Sequence, residues 1–438
     1  MLNLPSDFNY VQSLDLDKGI IKQQQVLYPY ECGNTFGPGQ MINIKFPTSN
    51  YLIPNTLSIR FKIQHIGSAS AGVNYIRATP VYTPYQRINT IIDGSYVENL
   101  TNANIIHNMN INLTKNYAQK VGNSLCLGYT SGTAPNSSTF DFNISAPNGG
   151  GCSTATSANP TIQYLSSPLS CCMLYNCDKI LPLGNMKQIN MEFYTDSLSN
   201  MYGNIITNPI TNYIISNFEL VYDELCFPEH INSTVINSSP QINIRSKSYT
   251  MSSVPIPIGS VGIRNLIFNM KFASIRSLFG YFQGNTSNTV AQSTANGPFD
   301  SCDVTSGGTY QFNINNNKYP KQLLNCSTNK GGIYQELYKA VGENEIGMLN
   351  CSINPTEFNY VNNSTTTIQM NGKFYIGVSL NTTQNKSFIS GVSSKDSIIG
   401  LDLNISVATT KFQIASVVAL YDVIIVIDSA SKTTRVIS

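Results

Sequence analysis

Three histidines, ten cysteines and 24 acidic residues are the entire stock from which this 438-residue chain could build a reactive centre. The histidines are His65, His107 and His230, scattered across the sequence. A base needs a nucleophile held within hydrogen-bond reach, and no G-x-S-x-G turn presents one. No G-x-x-x-x-G-K-[ST] loop offers a phosphate cradle, and neither H-E-x-x-H nor an EF-hand loop is present. Paired carboxylates of the glycosidase kind depend on their separation in space, which sequence order does not give. No catalytic, cofactor-binding or metal-binding residue is therefore nominated.

The cysteines stand at 32, 126, 152, 171, 172, 177, 226, 302, 326 and 351. Cys152, Cys171, Cys172 and Cys177 cluster, but without paired C-x2-C spacing and without a nearby histidine they do not read as a zinc site. Met1 to Phe8 has neither a basic n-region nor an apolar core, so no secretory signal is expected. A reducing compartment then disfavours disulfides, and free thiols are the expectation. Asn-x-Ser/Thr triplets at Asn112, Asn136, Asn143, Asn232, Asn381 and Asn404 are read as chance in a chain rich in these residues.

Charge is sparse at 11%, against about 25% in typical globular domains. A net charge of +2 gives no electrostatic pull toward nucleic acid or anionic membrane. Aromatic residues do not interleave with Lys and Arg as they do in single-strand binders. The longest apolar run, Val417 to Ile427, is interrupted by Asp422 and is too short to span a bilayer. With 41% hydrophobic residues, 25 Tyr and 19 Phe, core material is nonetheless ample.

The elements that would carry any site are strands. Leu57, Ile59, Phe61 and Ile63 alternate with polar neighbours, as do Ile189, Met191 and Phe193. The pattern restarts after residue 240 with Leu266, Phe268, Met270 and Phe272, then Thr309–Ile314, Phe374–Ile376, and Leu401, Leu403, Ile405 and Val407. Tyr213–Asp223 (YIISNFELVYD) and Phe412–Asp422 (FQIASVVALYD) look like one strand met twice, each closing half of the protein. The division that follows is an amino-terminal arm at 1–40, a first β-domain at 41–228, a linker at 229–240 and a second β-domain at 241–438. A helix is expected over Ile333–Val341, ended by Gly342, and a weaker one from Val97–Leu100 onward. Ser131–Thr161 and Gly284–Asp300 are candidate outward loops.

Several stretches resemble one family. Tyr310–Pro320 (YQFNINNNKYP) followed by Tyr334–Ala340 (YQELYKA) is similar to a strand, Lys-x-Pro turn and short helix of the second roll of double jelly-roll major capsid proteins. Phe374–Leu380 (FYIGVSL) with Ser390–Ser394 (SGVSS) resembles the next strand and loop of that roll. Tyr51–Phe61 (YLIPNTLSIRF) and Gly94–Leu100 (GSYVENL) fit the same scheme in the first. Capsid proteins of small tailless double-stranded DNA viruses of eukaryotes (polinton-like viruses, virophages and adintovirus-like elements) are the relatives suggested. The resemblance implies an all-β fold of two tandem eight-stranded antiparallel jelly rolls, with short helices in connecting loops.

It further implies a non-enzymatic structural protein that forms homotrimeric, pseudo-hexameric capsomers in an icosahedral shell. The implied partners are its own copies, neighbouring capsomers, and penton and minor capsid proteins, without sequence-specific nucleic-acid contacts or a transmembrane segment. The implied location is the virion, after synthesis in the host cytoplasm. The rival readings are a tandem β-sandwich adhesin, lectin-like or minor virion binding protein, and a β-sandwich hydrolase.

Overall fold

In the computed structural model the described residues are 21–438, apart from 68–72, 77, 129–150, 154–161, 205–209, 228–240, 258, 285–298, 300, 302–307, 327, 343–350, 354–357, 359–372, 382–390, 407–411 and 430. The first half contributes eight main strands. They are β1 (Ile21–Leu27), β2 (Met41–Lys45), β3 (Ser58–Gly67), β4 (Tyr85–Ile92), β5 (Ser95–Thr101), β6 (Ile162–Pro168), β7 (Ile189–Thr195) and β8 (Ile210–Cys226). The second half repeats the set as β9 (Gln241–Pro255), β10 (Gly262–Phe268), β11 (Ile275–Gly284), β12 (Thr309–Ile314), β13 (Asn317–Asn325), β14 (Tyr375–Ser379), β15 (Ile399–Ile405) and β16 (Phe412–Asp428).

The pairing is the same in both halves. One sheet runs β1-β8-β3-β6 and the other β2-β7-β4-β5, all antiparallel. In the second half the sheets run β9-β16-β11-β14 and β10-β15-β12-β13. Adding eight to a strand number therefore gives its counterpart. Consecutive strands mostly cross between two facing sheets, which is the jelly-roll path and leaves few exposed edges. A further small sheet joins Val73–Ile76 to Gly151–Ser153 and Tyr202–Asn204.

Alternation puts the core where the pattern required it. Leu57, Ile59, Phe61 and Ile63 are buried, as are Ile189, Met191 and Phe193, and Ile399, Leu401, Leu403 and Ile405. In the first roll an aromatic knot ties the sheets together. Phe61 (β3) meets Tyr85 (β4) edge-on at 5.4 Å, and Phe218 (β8) meets Phe193 (β7) at 5.1 Å. Such contacts add about 0.5–1.5 kcal/mol each beyond the area they bury.

Tyr222 and Tyr421 occupy equivalent places, on β8 and β16, and both are buried. The aspartates beside them differ. Asp422 pairs with Arg276 at 2.5 Å and accepts from Ser274 Oγ at 2.6 Å, a nearly buried pair. Asp223 pairs with Lys22 at 2.9 Å on an exposed edge.

Two helices occupy matching connections, each after the fifth strand of its roll. They are α1 (Ala103–Thr114) and α2 (Lys330–Gly342). Asn329 caps α2, its side-chain oxygen accepting from the Gly332 amide at 3.1 Å. That cap starts the helix three residues ahead of the apolar pattern at Ile333.

Two expectations are corrected. Residues 21–36 belong to the first sheet and not to an arm at 1–40: β1 pairs with β8 along its whole length, and Thr35–Phe36 also pairs with β8. The misleading segment is Gln23, Gln24 and Gln25, which read as polar coil. Gln23 and Gln25 instead donate from Nε2 to buried Glu224 at 2.5 and 2.7 Å. Likewise Val97–Leu100 lies in β5 rather than in a helix; α1 begins only after Asn102, which turns the chain with a left-handed φ of 53°. The linker 229–240, the first twenty residues, and nearly all of both candidate outward loops lie outside the described residues.

Candidate functional site: the seam between the rolls

His107 sits on α1, buried, with Nδ1 2.8 Å from the Ala103 carbonyl and its ring stacked on Tyr82 at 4.5 Å. Burial lowers its pKa to about 4, so the ring is neutral at physiological pH. No hydroxyl or thiol bonds to Nε2. It is a packing residue that supports the helix. His65 lies on β3, and His230 lies outside the described residues.

Cys32, Cys126, Cys171, Cys172, Cys177, Cys226, Cys326 and Cys351 are free thiols. Cys171, Cys172 and Cys177 are buried together in the loop after β6. Burial raises all three thiols, Cys177 to about 12, which keeps them protonated and unreactive. Among the described residues no three His, Cys, Asp or Glu side chains gather in a manner that could hold a metal ion. No helix there is long and apolar enough to cross a membrane.

A further buried polar cluster lies where the two rolls meet. Glu98, on β5 at the edge of the first roll, is 2% exposed. Its carboxylate accepts from the Met173 amide at 2.7 Å, from Thr90 Oγ1 at 2.8 Å, and from Ser248 Oγ across the seam on β9. Burial raises its pKa, partly offset by these donors. Beside it Ser246 Oγ donates to the Met173 carbonyl at 2.5 Å. Arg245 and Asp178 exchange two bonds of 2.8 Å, one backbone to backbone and one from the Arg245 amide to Asp178 Oδ1. The helix α1 adds more: Leu113 accepts at its carbonyl from the Ser352 amide at 2.8 Å, and Asn112 Nδ2 reaches the Tyr375 hydroxyl at 3.4 Å.

No local pattern marks this cluster. A glutamate in a strand reads as a solvent-facing residue, and only its burial against Ser248, 150 residues away, reveals otherwise. Near the seam a cleft of about 680 Å³ is lined by Tyr51, Pro54, Asp178, Ile180, Phe227 and Ile242. It is mostly apolar; Asp178 there accepts from the Arg245 amide, and Lys179 Nζ donates to the Asn243 carbonyl at 3.4 Å.

The arrangement can therefore hold two sandwiches rigidly edge to edge, and its carboxylates are occupied by structural donors. Solved structures with the same organisation include viral capsid structures. The PBCV-1 virus capsid matches with a TM-score of 0.62 at 10% identity, covering 95% of this chain and 96% of that one. The fold is the double jelly roll. The Sputnik virophage structure matches with a TM-score of 0.59 at 13% identity, over 95% of this chain and 88% of that one. The Faustovirus major capsid protein matches at 0.57 and 8% identity, over 93% and 90%. At such identities the likeness is one of fold. No protein-family model and no curated protein matches the sequence.

Proposed function

We propose that this double jelly-roll chain is the major capsid protein of an icosahedral virus. The observation that carries the reading is full-length correspondence: both rolls, in the same order, account for at least 93% of this chain and 88% of each capsid structure just described. The interior supports a structural role, because the buried polar groups described at the seam serve to lock elements together. Sparse surface charge suits a protein whose flanks are covered by neighbours.

Residues 21–227 and 241–438 are the two rolls of the protomer, and three protomers close into a pseudo-hexameric tile of six rolls. Tiles then meet one another and the penton and minor proteins of the virion, without reading nucleic-acid sequence. Synthesis takes place in the host cytoplasm, ahead of incorporation into the shell. Obligate interfaces of this kind bury about 2,000–5,000 Å².

The test is size-exclusion chromatography with light scattering on the full chain. A mass three times that of the 438-residue chain is expected. A monomer at every concentration and ionic strength tried would contradict the proposal.

A further inference from the structure

We infer that Glu224, Tyr222 and the side-chain amides of Gln23, Gln25 and Asn50 form a calcium site inside the first roll, where the edge strand β1 joins β8. This cluster lies outside the seam and owes nothing to the capsid reading.

β8 places Tyr222 and Glu224 two residues apart, on one face. On β1, Gln25 lies opposite Tyr222 and Gln23 opposite Glu224. Tyr51–Leu52 pairs with β8 from the other side, which brings Asn50 to the same carboxylate. Gln23, Gln25 and Asn50 donate to Glu224 Oε1 at 2.5, 2.7 and 2.9 Å, and the Cys226 thiol reaches it at 3.6 Å.

The pairing is lopsided. All these donors crowd onto Oε1, while Oε2 is buried and bonds to nothing. The Tyr222 hydroxyl is buried without a partner as well. Both residues are 0% exposed. Burial raises the Tyr222 phenol and the charge on Glu224 raises it further, so the field of the carboxylate reaches that ring. A buried polar atom left idle is costly, and in a native fold it is the mark of an ion, a water or a strained device.

Charge narrows the choice. Among the described residues no lysine, arginine or histidine pairs with Glu224; Lys22, beside Gln23 on β1, pairs with Asp223 instead. A buried carboxylate with only neutral neighbours lacks half of an ion pair. The missing half has to be small, since the core closes over it, and a metal cation meets both demands.

Each amide carries an oxygen on the same carbon as its nitrogen, so a half-turn about its last bond presents oxygen instead. Two carboxylate oxygens, three amide oxygens and the phenol are then hard ligands around one point. Calcium accepts about six to eight such oxygens in loose geometry. Magnesium demands a strict octahedron and keeps several waters, for which a closed core leaves little room. One acid among neutral ligands puts the site at the weak end of the range, with Kd about 10⁻⁴–10⁻³ M. Bound calcium ties β1 to β8 through side chains, over and above their backbone ladder.

The test is thermal melting of the full-length chain in about 10 mM calcium chloride, against sodium chloride of equal ionic strength. That concentration is about 10–100 times Kd, and binding to the folded form alone raises the melting temperature by about 3–10 °C. Glu224→Gln keeps the shape without the charge and should lose the calcium shift entirely. Tyr222→Phe removes one unpartnered oxygen; it should melt like the wild type without calcium and bind calcium several-fold more weakly in isothermal titration. Hydrogen exchange over residues 21–27 should slow when calcium is added to the wild type. If Glu224→Gln does not fold, Tyr222→Phe decides alone. A wild-type melt that calcium leaves unmoved, or that sodium chloride shifts as far, would overturn the site. So would a calcium response kept in full by either folded variant.

Discussion

Replacing Glu98 with alanine tests the seam within the chain. The carboxylate serves three donors: Ser248 Oγ, the Met173 amide and Thr90 Oγ1. The two hydroxyls can turn elsewhere, but the amide cannot. A stranded buried donor costs about 1–3 kcal/mol, and losing a bond to an ionisable group adds about 1.5–3 kcal/mol. A loss of about 3 kcal/mol lowers the melting temperature of a domain of this size by about 6–12 °C.

The pH dependence supplies a second readout through Glu98→Gln, which keeps the shape without the titration. Burial raises the folded-state pKa of Glu98. Its contribution to stability is then complete below the ordinary carboxyl value of about 4.3 and is lost as pH climbs through the raised folded value. Thermal melts at pH about 4 and about 8 should show the wild-type advantage over Glu98→Gln shrinking with rising pH. An unchanged melting temperature for Glu98→Ala, or an advantage that widens with pH, would refute the reasoning.

Three other perturbations probe the rolls themselves. Asp422→Ala leaves the nearly buried Arg276 guanidinium without its partner; a loss of about 3–5 kcal/mol is expected in denaturant titration, largely recovered when Arg276 is replaced by Met as well. Gly391→Ala drives a new methyl group into the Ile275 carbonyl and the Ser274 hydroxyl. It should cost about 1–3 kcal/mol, whereas Gly184→Ala, with no atom nearer than 3.9 Å, should be far milder. A thiol reagent added to the native protein should label exposed Cys126 quickly and spare Cys171, Cys172 and Cys177 until denaturant is added; early labelling of those three would mean the loop after β6 opens readily.

Wherever a strand keeps one face in the core, its period shows in the sequence, as in Leu57–Ile63 and Ile399–Ile405, all buried on the alternating face. The Tyr-Asp repeat was legible for the same reason: both copies occupy the long central strand of a sheet, where packing dictates sequence. Strands whose polar residues are satisfied by distant partners were not legible. β1 hides behind glutamines that serve Glu224, about 200 residues away, and β5 hides behind a buried glutamate that serves the other roll. The seam belongs to this second class. Its signal is a set of long-range pairings that no local window contains.

Cryo-electron microscopy of the purified full-length assembly tests the central claim most directly. Projections down the particle axis should show a hexagonally outlined tile of six similar densities, three copies of two rolls. Particles holding a single pair of rolls would contradict it.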